Sequence, residues 1–452
     1  MIHNNLSISN SSLLKIIKRI ISVVLVITML LVSMNILNAI YFDDDPWNRI
    51  MWNSFYKQNN IDNVFIGSSH VYCDVNPYIL DEINGMNNFN LSTPGLGVSG
   101  SYYLLKEADR KYDISSAYVE LYYVHNSGEN GVSSPDQINR SFNTIPYMRP
   151  SINKYEYLIK TRESTKYIET LFSFIRYRTH LFDNSYIDNI YKKKRTETYQ
   201  NYEYVNENDM GVEEYMAKGW HRSTRTIASS NAYLYKTQVN IKSDGALTDD
   251  NCDYMQKIID YCNKNDINLK FFISPIYETQ ILSSRDYDAY YQQVYNIAEQ
   301  SGVELYDFNL CKSKYLDIMH QEYYRDDGHL NEVGAGMFTP FLWSVLEGTY
   351  EENKKYFCST YHEKISLDEP ELYGIYYEDS DEGKACTFAS NTDTELEYSI
   401  VFIPEEGDSV TIQEFSINKE FLIKNDIGGG VLHVEARAIN GEGTKQAFDI
   451  KY

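Results

Sequence analysis

The apolar residues of this chain change their pattern from one region to the next. From Ile20 to Phe42 no charged residue occurs over 23 positions, opening with Ile20-Ile21-Ser22-Val23-Val24-Leu25-Val26-Ile27. A helix of that length covers a hydrocarbon layer of roughly 30 Å. Lys15, Lys18 and Arg19 precede it, and Asp43, Asp44 and Asp45 follow it. Basic residues stay on the cytoplasmic side, which predicts a cytoplasmic tail over 1–19, an anchor over 20–42 and the remainder outside the cell. A cleaved signal peptide usually has an apolar core of about 7 to 15 residues and small residues at its cleavage site. Leu37-Asn38-Ala39 fits that poorly, so an uncleaved, single-pass cell-membrane anchor is expected.

Beyond the anchor, short apolar runs alternate with amphipathic stretches. Strands are expected at Asn63–Ile66, Phe89–Ser92 and Tyr118–Val124, with helices opened by Asn76-Pro77 and spanning Ser99–Tyr112. The rhythm returns with a helix over Asp249–Asn265, a strand at Leu269–Ser274, a helix over Asp286–Gln300, a strand at Val303–Phe308 and a helix over Asn331–Leu346. Such alternation predicts an α/β domain over 43–350, a three-layer parallel sheet with helices on both faces and a site at the carboxyl ends of the strands. It is interrupted at about 127–246 by an aromatic, Asn- and Arg-rich insertion of the kind that forms lids and substrate walls. A charged stretch, Glu351–Lys355, opens an expected linker over 351–362. Alternating runs at Leu396–Ile403, Ser409–Ile417, Val431–Ile439 and Gln446–Tyr452 then predict an all-β, immunoglobulin-like sandwich over 363–452.

Composition narrows the partners. A net charge of −23 over 452 residues excludes nucleic acid, which needs a basic surface to displace counterions. The 42 tyrosines could stack on sugars, although tyrosine more often fills half-buried surfaces. Lys192-Lys193-Lys194-Arg195 could meet an acidic polymer or lipid headgroups, and a solvated face is the plainer reading. The six cysteines show no zinc spacing; Cys358 and Cys386 are the first pair to test for a disulfide, and buried thiols are equally compatible.

The chemistry sits in two strings. Gly67-Ser68-Ser69-His70 ends the apolar run Val64-Phe65-Ile66, and Asp326-Asp327-Gly328-His329 lies just before a helix. A serine hydroxyl is a weak nucleophile until a base takes its proton and a third group fixes that base's tautomer. Ser69 at the mouth of a strand, with His329 as base and Asp326 as orienter three residues away, would supply all three. The Ser69 N–H, a backbone N–H at Gly95 in the loop Pro94-Gly95-Leu96-Gly97, and the Asn126 side chain are the expected oxyanion donors. His70 and His125 read as structural residues, His70 pointing away from Ser69. Trp220 and His221 could wall a substrate, and packing under a loop is the commoner fate of such residues.

Gly67-Ser68-Ser69 resembles the Gly-Asp-Ser block of the SGNH/GDSL hydrolases, Asn90 to Gly95 resembles their oxyanion-glycine block, and Asp326 to His329 matches their terminal Asp-x-x-His block. With the anchor, the chain is most similar to the extracytoplasmic branch that includes the D-alanyl transfer protein DltD and the alginate acetyltransferases. The resemblance implies a flavodoxin-like α/β fold and a serine esterase or O-acyltransferase acting on acyl groups of a cell-surface polysaccharide or glycopolymer. It implies Ser69 as nucleophile, His329 as base, Asp326 as orienter and Gly95 as an oxyanion donor, with no metal or organic cofactor. A membrane-bound acyltransferase is then a candidate partner. Two positions depart from the family: Ser68 stands where Asp is usual, and Tyr123-Val124-His125-Asn126 replaces Gly-x-Asn-Asp, so Asn126 matches by position only. The alternatives are a glycan-binding or assembly protein on an esterase fold, and a lipase or thioesterase at the membrane surface.

Overall fold

The computed structural model describes residues 10–126, 134–227, 234–236, 247–284, 286–439 and 446–452. Five short strands, β1 (Asn63–Gly67), β2 (Asn88–Ser92), β3 (Ser116–Glu120), β4 (Asn268–Ile273) and β5 (Glu304–Asp307), pair in parallel in the order β2-β1-β3-β4-β5. Their residues are buried on both faces, which is why the runs read as continuously apolar rather than alternating. Val64, Ile66, Phe89, Leu91, Ala117, Val119, Phe271 and Ile273 join one core. Phe65, Tyr118, Phe272 and Tyr306 join the other.

Eight helices matter for the site. They are α1 (Asn10–Tyr41), α2 (Pro46–Lys57), α3 (Ser69–Asp74), α4 (Pro77–Asn84), α5 (Val98–Tyr112), α6 (Asp249–Lys264), α7 (Tyr287–Gln300) and α8 (Glu332–Glu347). Leu104 and Leu105 of α5, Ile258 and Ile259 of α6 and Val294 of α7 cover the first face. Val71, Leu80 and the α8 residues Phe338, Leu342 and Trp343 cover the second. Asn76 caps α4 with Pro77 at its first position and Gly85 left-handed at its end; Asn331 caps α8. Because β1 is flanked by β2 on one side and β3 on the other, the chain leaves the sheet in opposite directions after β1 and β3. The cleft at their carboxyl ends is where doubly wound sheets bind ligands.

Several expectations change. β3 stops at Glu120, not Val124: Leu121 N–H makes the last bond to its neighbour strand, to Phe272 O at 2.9 Å, and Tyr123–Asn126 then coils into a short helix. α2 was not anticipated: Asp45 caps it, Pro46 opens it, and Trp47, Ile50, Met51, Trp52 and Phe55 are buried. Residues 351–362, expected as a linker, carry helix Tyr350–Asn353 and lead into helix Tyr361–Ile365. Tyr361 and Ile365 enter the first core, and Lys364 forms a buried ion pair with Glu278 at 2.6 Å.

The C-terminal strands form two four-stranded sheets around one core. One runs 420–424, 383–390, 372–380 and 234–236; the other runs 410–416, 396–404, 430–438 and 446–451. The insertion thus lends an edge strand, Leu234–Lys236, that pairs in parallel with Leu372–Ser380. All six cysteines are free thiols. Cys358 donates its N–H to Leu310 O beside the α/β domain, whereas Cys386 belongs to the C-terminal core, so the two are built into different units.

At the other end, Leu13–Tyr41 is one apolar helical stretch of mean hydropathy 2.7, long enough to span a membrane and with none of its most apolar window buried.

Candidate active site

Gly67 closes β1 where a side chain has no room: a Cβ there would lie 2.7 Å from Glu120 Cβ and 2.8 Å from Val71 Cγ2. The chain turns at once into α3. Ser68 is the N-cap; it is fully buried, and its Oγ accepts from His70 N–H and lies 3.1 Å from Glu120 Oε2. Ser69 is the first helical residue and remains partly open to the cleft. At that position its N–H has no acceptor inside the helix, leaving a donor beside its own hydroxyl.

Asp326 and His329 flank a two-residue turn, Asp327-Gly328, between strands Tyr324–Asp326 and His329–Leu330. His329 Nε2 is 2.6 Å from Ser69 Oγ, and His329 Nδ1 is 2.7 Å from Asp326 Oδ1. The geometry assigns the tautomer, Nδ1–H donating to the carboxylate and Nε2 facing the serine. The hairpin is held to α3 by Leu330 N–H, which donates to Asp74 Oδ1 at 2.9 Å.

Asp326 is the better fixed of the two neighbouring acids. Its Oδ1 also accepts from Gly328 N–H at 3.0 Å, and its Oδ2 from Arg325 Nε at 3.1 Å. Burial pushes this carboxyl up, but the charge and hydrogen bond of His329, with Arg325 and Gly328, outweigh it and hold Asp326 below the usual range. Asp327 behaves oppositely: burial and the adjacent Asp326 charge raise it to about 7. Its carbonyl accepts from Tyr277 N–H, so Asp327 braces the turn while Asp326 faces the imidazole.

Sequence reasoning missed what stands behind Asp326. Arg325 reaches Glu213 at 3.2 Å and His221 Nδ1 at 3.4 Å, both from the insertion's antiparallel strands Gly211–Tyr215 and His221–Ser223. Burial, then the charges of Arg325 and His329, lower His221 to about 3, which keeps it neutral. It stacks on Trp47 of α2 at 5.1 Å, while Trp220 is buried with Nε1–H toward Cys73 O. Trp220 and His221 therefore support the site from behind. The only local signal for Arg325 was its position next to Asp326.

His70 does not point away as expected. Its ring is buried and stacks on His329 with centroids 4.6 Å apart, against Tyr122 at 3.9 Å on another side. Its Nδ1 lies 3.0 Å from Ser68 Oγ, which continues to Glu120. Burial raises the Glu120 carboxyl from 4.5 to about 8, so at neutral pH it keeps its proton and the Ser68 contacts do not enclose a bare charge. Ser68 is thus part of the wall, and Ser69 is the serine that meets His329. The His125 side chain lies outside the described residues.

The oxyanion candidates divide. Gly95 has φ +68, and a Cβ there would collide with the Arg140 guanidinium, so a side chain is barred on two counts. Asn126 is buried; its Oδ1 accepts from Val98 N–H at 2.8 Å and its Nδ2 donates to Tyr122 O at 2.9 Å. The carboxamide is thereby committed to holding the start of α5 against the β3 exit. A role as donor to substrate would fall to its second amide hydrogen.

No protein-family model matches the chain, and no curated protein matches it. Among solved structures it is similar to a Bacteroides fragilis protein proposed to be an acylhydrolase, at TM-score 0.32 and 8% identity, covering 67% of this chain and 98% of that one. It is also similar to an engineered protein at TM-score 0.18 and 9% identity, covering 91% of this chain and 98% of that one.

Proposed function

We propose that this protein is a membrane-tethered, outward-facing serine esterase or O-acyltransferase of the SGNH type, acting on acyl groups of a cell-surface polysaccharide or glycopolymer. One observation carries the reading: Ser69 Oγ, His329 Nε2, His329 Nδ1 and Asp326 Oδ1 lie in sequence at 2.6 and 2.7 Å across two separate parts of the chain. In the first step His329 takes the Ser69 proton as Oγ bonds to the ester carbonyl carbon. The carbonyl electron pair moves onto oxygen, facing the Ser69 and Gly95 N–H groups. Collapse expels the alcohol, protonated by His329, and leaves Ser69 acylated. Water or a second hydroxyl, deprotonated by His329, then takes the acyl group and restores Ser69.

The parallel sheet with its site at the strand ends supports the fold assignment, and two sheets of largely antiparallel strands packed around one core support a sandwich reading of the C-terminal unit. The apolar helix before Asp43, with its basic N-terminal flank, supports anchorage with the catalytic domain outside. The test is labelling of the full-length protein in membranes by a fluorophosphonate. Wild type should be labelled at Ser69, and Ser69→Ala should lose labelling and ester turnover together. Full turnover in Ser69→Ala would refute the reading.

A further inference from the structure

The basic run of the insertion has a position that its sequence did not reveal. Lys193 Nζ pairs with Asp43 at 2.6 Å, Lys194 Nζ donates to Ala39 O at 2.6 Å, and Tyr186 OH donates to Tyr41 O at 3.0 Å. Nearby, Phe174 N–H donates to Asn38 Oδ1 at 3.0 Å and Tyr177 OH to Asp43 O at 3.2 Å. All of these partners lie at the end of α1, so helix Asn184–Arg195 and the segment before it are clasped to the place where the apolar helix finishes. If α1 crosses a membrane, this part of the insertion lies at the membrane surface.

Its composition suits that place. Between Lys166 and Arg195 there are seven Lys and Arg against three Asp and Glu, in a chain whose acids outnumber its bases by 64 to 41. Phe182 is 95% exposed, the highest value among the exposed large apolar side chains of the described residues, and Ile168 of the same segment is 54% exposed. Arg178 and Lys192 have side chains 63% and 71% exposed. Basic side chains with an apolar wedge among tyrosines are the elements of an interfacial surface, where rings sit at headgroup level and cations meet lipid phosphates.

We propose that the segment Lys166–Arg195 is a membrane-seating surface that sets Phe182 into the headgroup–acyl boundary of an anionic leaflet beside the exit of α1. This rests on α1 being an anchor and is independent of the chemistry at Ser69. Seating would fix the tilt of α1 and the domain clasped to it against the plane of the membrane.

The experiment uses the full chain reconstituted in vesicles of phosphatidylcholine with phosphatidylglycerol. The native tryptophans are all buried, so Phe182→Trp adds a distinct fluorophore. Its added emission should be blue-shifted and quenched by lipids brominated near the headgroup, and Arg178→Glu with Lys192→Glu should reduce that quenching. Circular dichroism of the same samples reports that each variant is folded. Vesicle-bound protein whose added tryptophan is water-like and unquenched overturns this proposal and leaves the anchor standing. Protein that does not float with vesicles overturns the anchor, and the proposal with it. Quenching unaffected by lipid charge or by the two Glu substitutions overturns the anionic-leaflet part.

Discussion

Replacing Asp326 by Asn tests how the site holds its base. Asp326 Oδ1 accepts from His329 Nδ1 and Gly328 N–H, and Oδ2 from Arg325 Nε alone. An Asn carbonyl oxygen in the Oδ1 position keeps two donors satisfied and sets its NH2 against one, Arg325; the flipped rotamer sets its NH2 against two. The first arrangement preserves the Nδ1–H tautomer, so the loss is confined to the charge opposite the imidazolium that forms as Ser69 is deprotonated. Hydrogen bonds to charged groups contribute about 1.5–3 kcal/mol, and the partial exposure of Asp326 favours the lower end. At about 1.4 kcal/mol per decade, kcat/KM should fall roughly 10- to 150-fold. The flipped arrangement leaves the wrong tautomer and costs on the order of 10⁴-fold. The assay is hydrolysis of p-nitrophenyl acetate by the full-length protein in detergent, with fluorophosphonate labelling rates beside it. A fall on the order of 10⁴-fold would show that the Oδ1 donors do not set the rotamer. A change below about 3-fold would show that the Asp326 carboxylate takes no part.

Ser68→Ala removes the α3 cap and a partner of Glu120 and His70; it should cost about 1–3 kcal/mol in denaturant unfolding, yet Ser69 should still be labelled by fluorophosphonate. Labelling lost there and retained in Ser69→Ala would reverse the assignment of the nucleophile. Glu120 has a folded pKa of about 8 against 4.5 when unperturbed, so its contribution to stability is fully present below about pH 4.5 and is lost as pH rises to about 8. Glu120→Gln should flatten that part of a Tm-against-pH curve, and an unchanged slope would mean that Glu120 is ionised in the fold. Lys364→Met strands Glu278 without its buried partner and should destabilise by about 3–5 kcal/mol, whereas the Lys364→Met, Glu278→Leu pair should recover most of it. A single variant with wild-type stability would detach helix Tyr361–Ile365 from the α/β core.

The parts of the molecule legible in its sequence are those encoded within a few consecutive residues. Val64-Phe65-Ile66 ending in Gly67, Asn76-Pro77 before α4 and Asn331 before α8 each combine a periodicity with a cap or a break, and each marks the element observed. Asp326 and His329 were readable because both sit on one hairpin. α2 was hidden because its apolar face follows the anchor so closely that it reads as the anchor's flank. The strand Leu234–Lys236 is three residues long and exists only by pairing with Leu372–Ser380, far along the chain. The structure around the expected linker was hidden for a related reason: Glu351 and Lys354 face solvent, but ten residues on Lys364 turns inward to Glu278, and charge alone does not tell the two situations apart.

The least legible region, the insertion, is also the one that joins the end of α1 to the candidate site. Lys193 and Lys194 hold the end of α1, while Glu213 and His221, on strands of the same insertion, hold Arg325 against Asp326. Trp47, two residues past the anchor's acidic flank, closes the circuit by stacking on His221. Apart from the adjacent pair Arg325 and Asp326, each contact spans more than 100 residues of chain and leaves no local signature, yet together they fix the Asp326–His329 hairpin relative to the end of the apolar helix. An esterase free in solution needs Ser69, His329 and Asp326 but has no use for that coupling. In the tethered esterase proposed above the coupling has a use, because the height and angle of the cleft above the surface would decide which acyl groups Ser69 reaches.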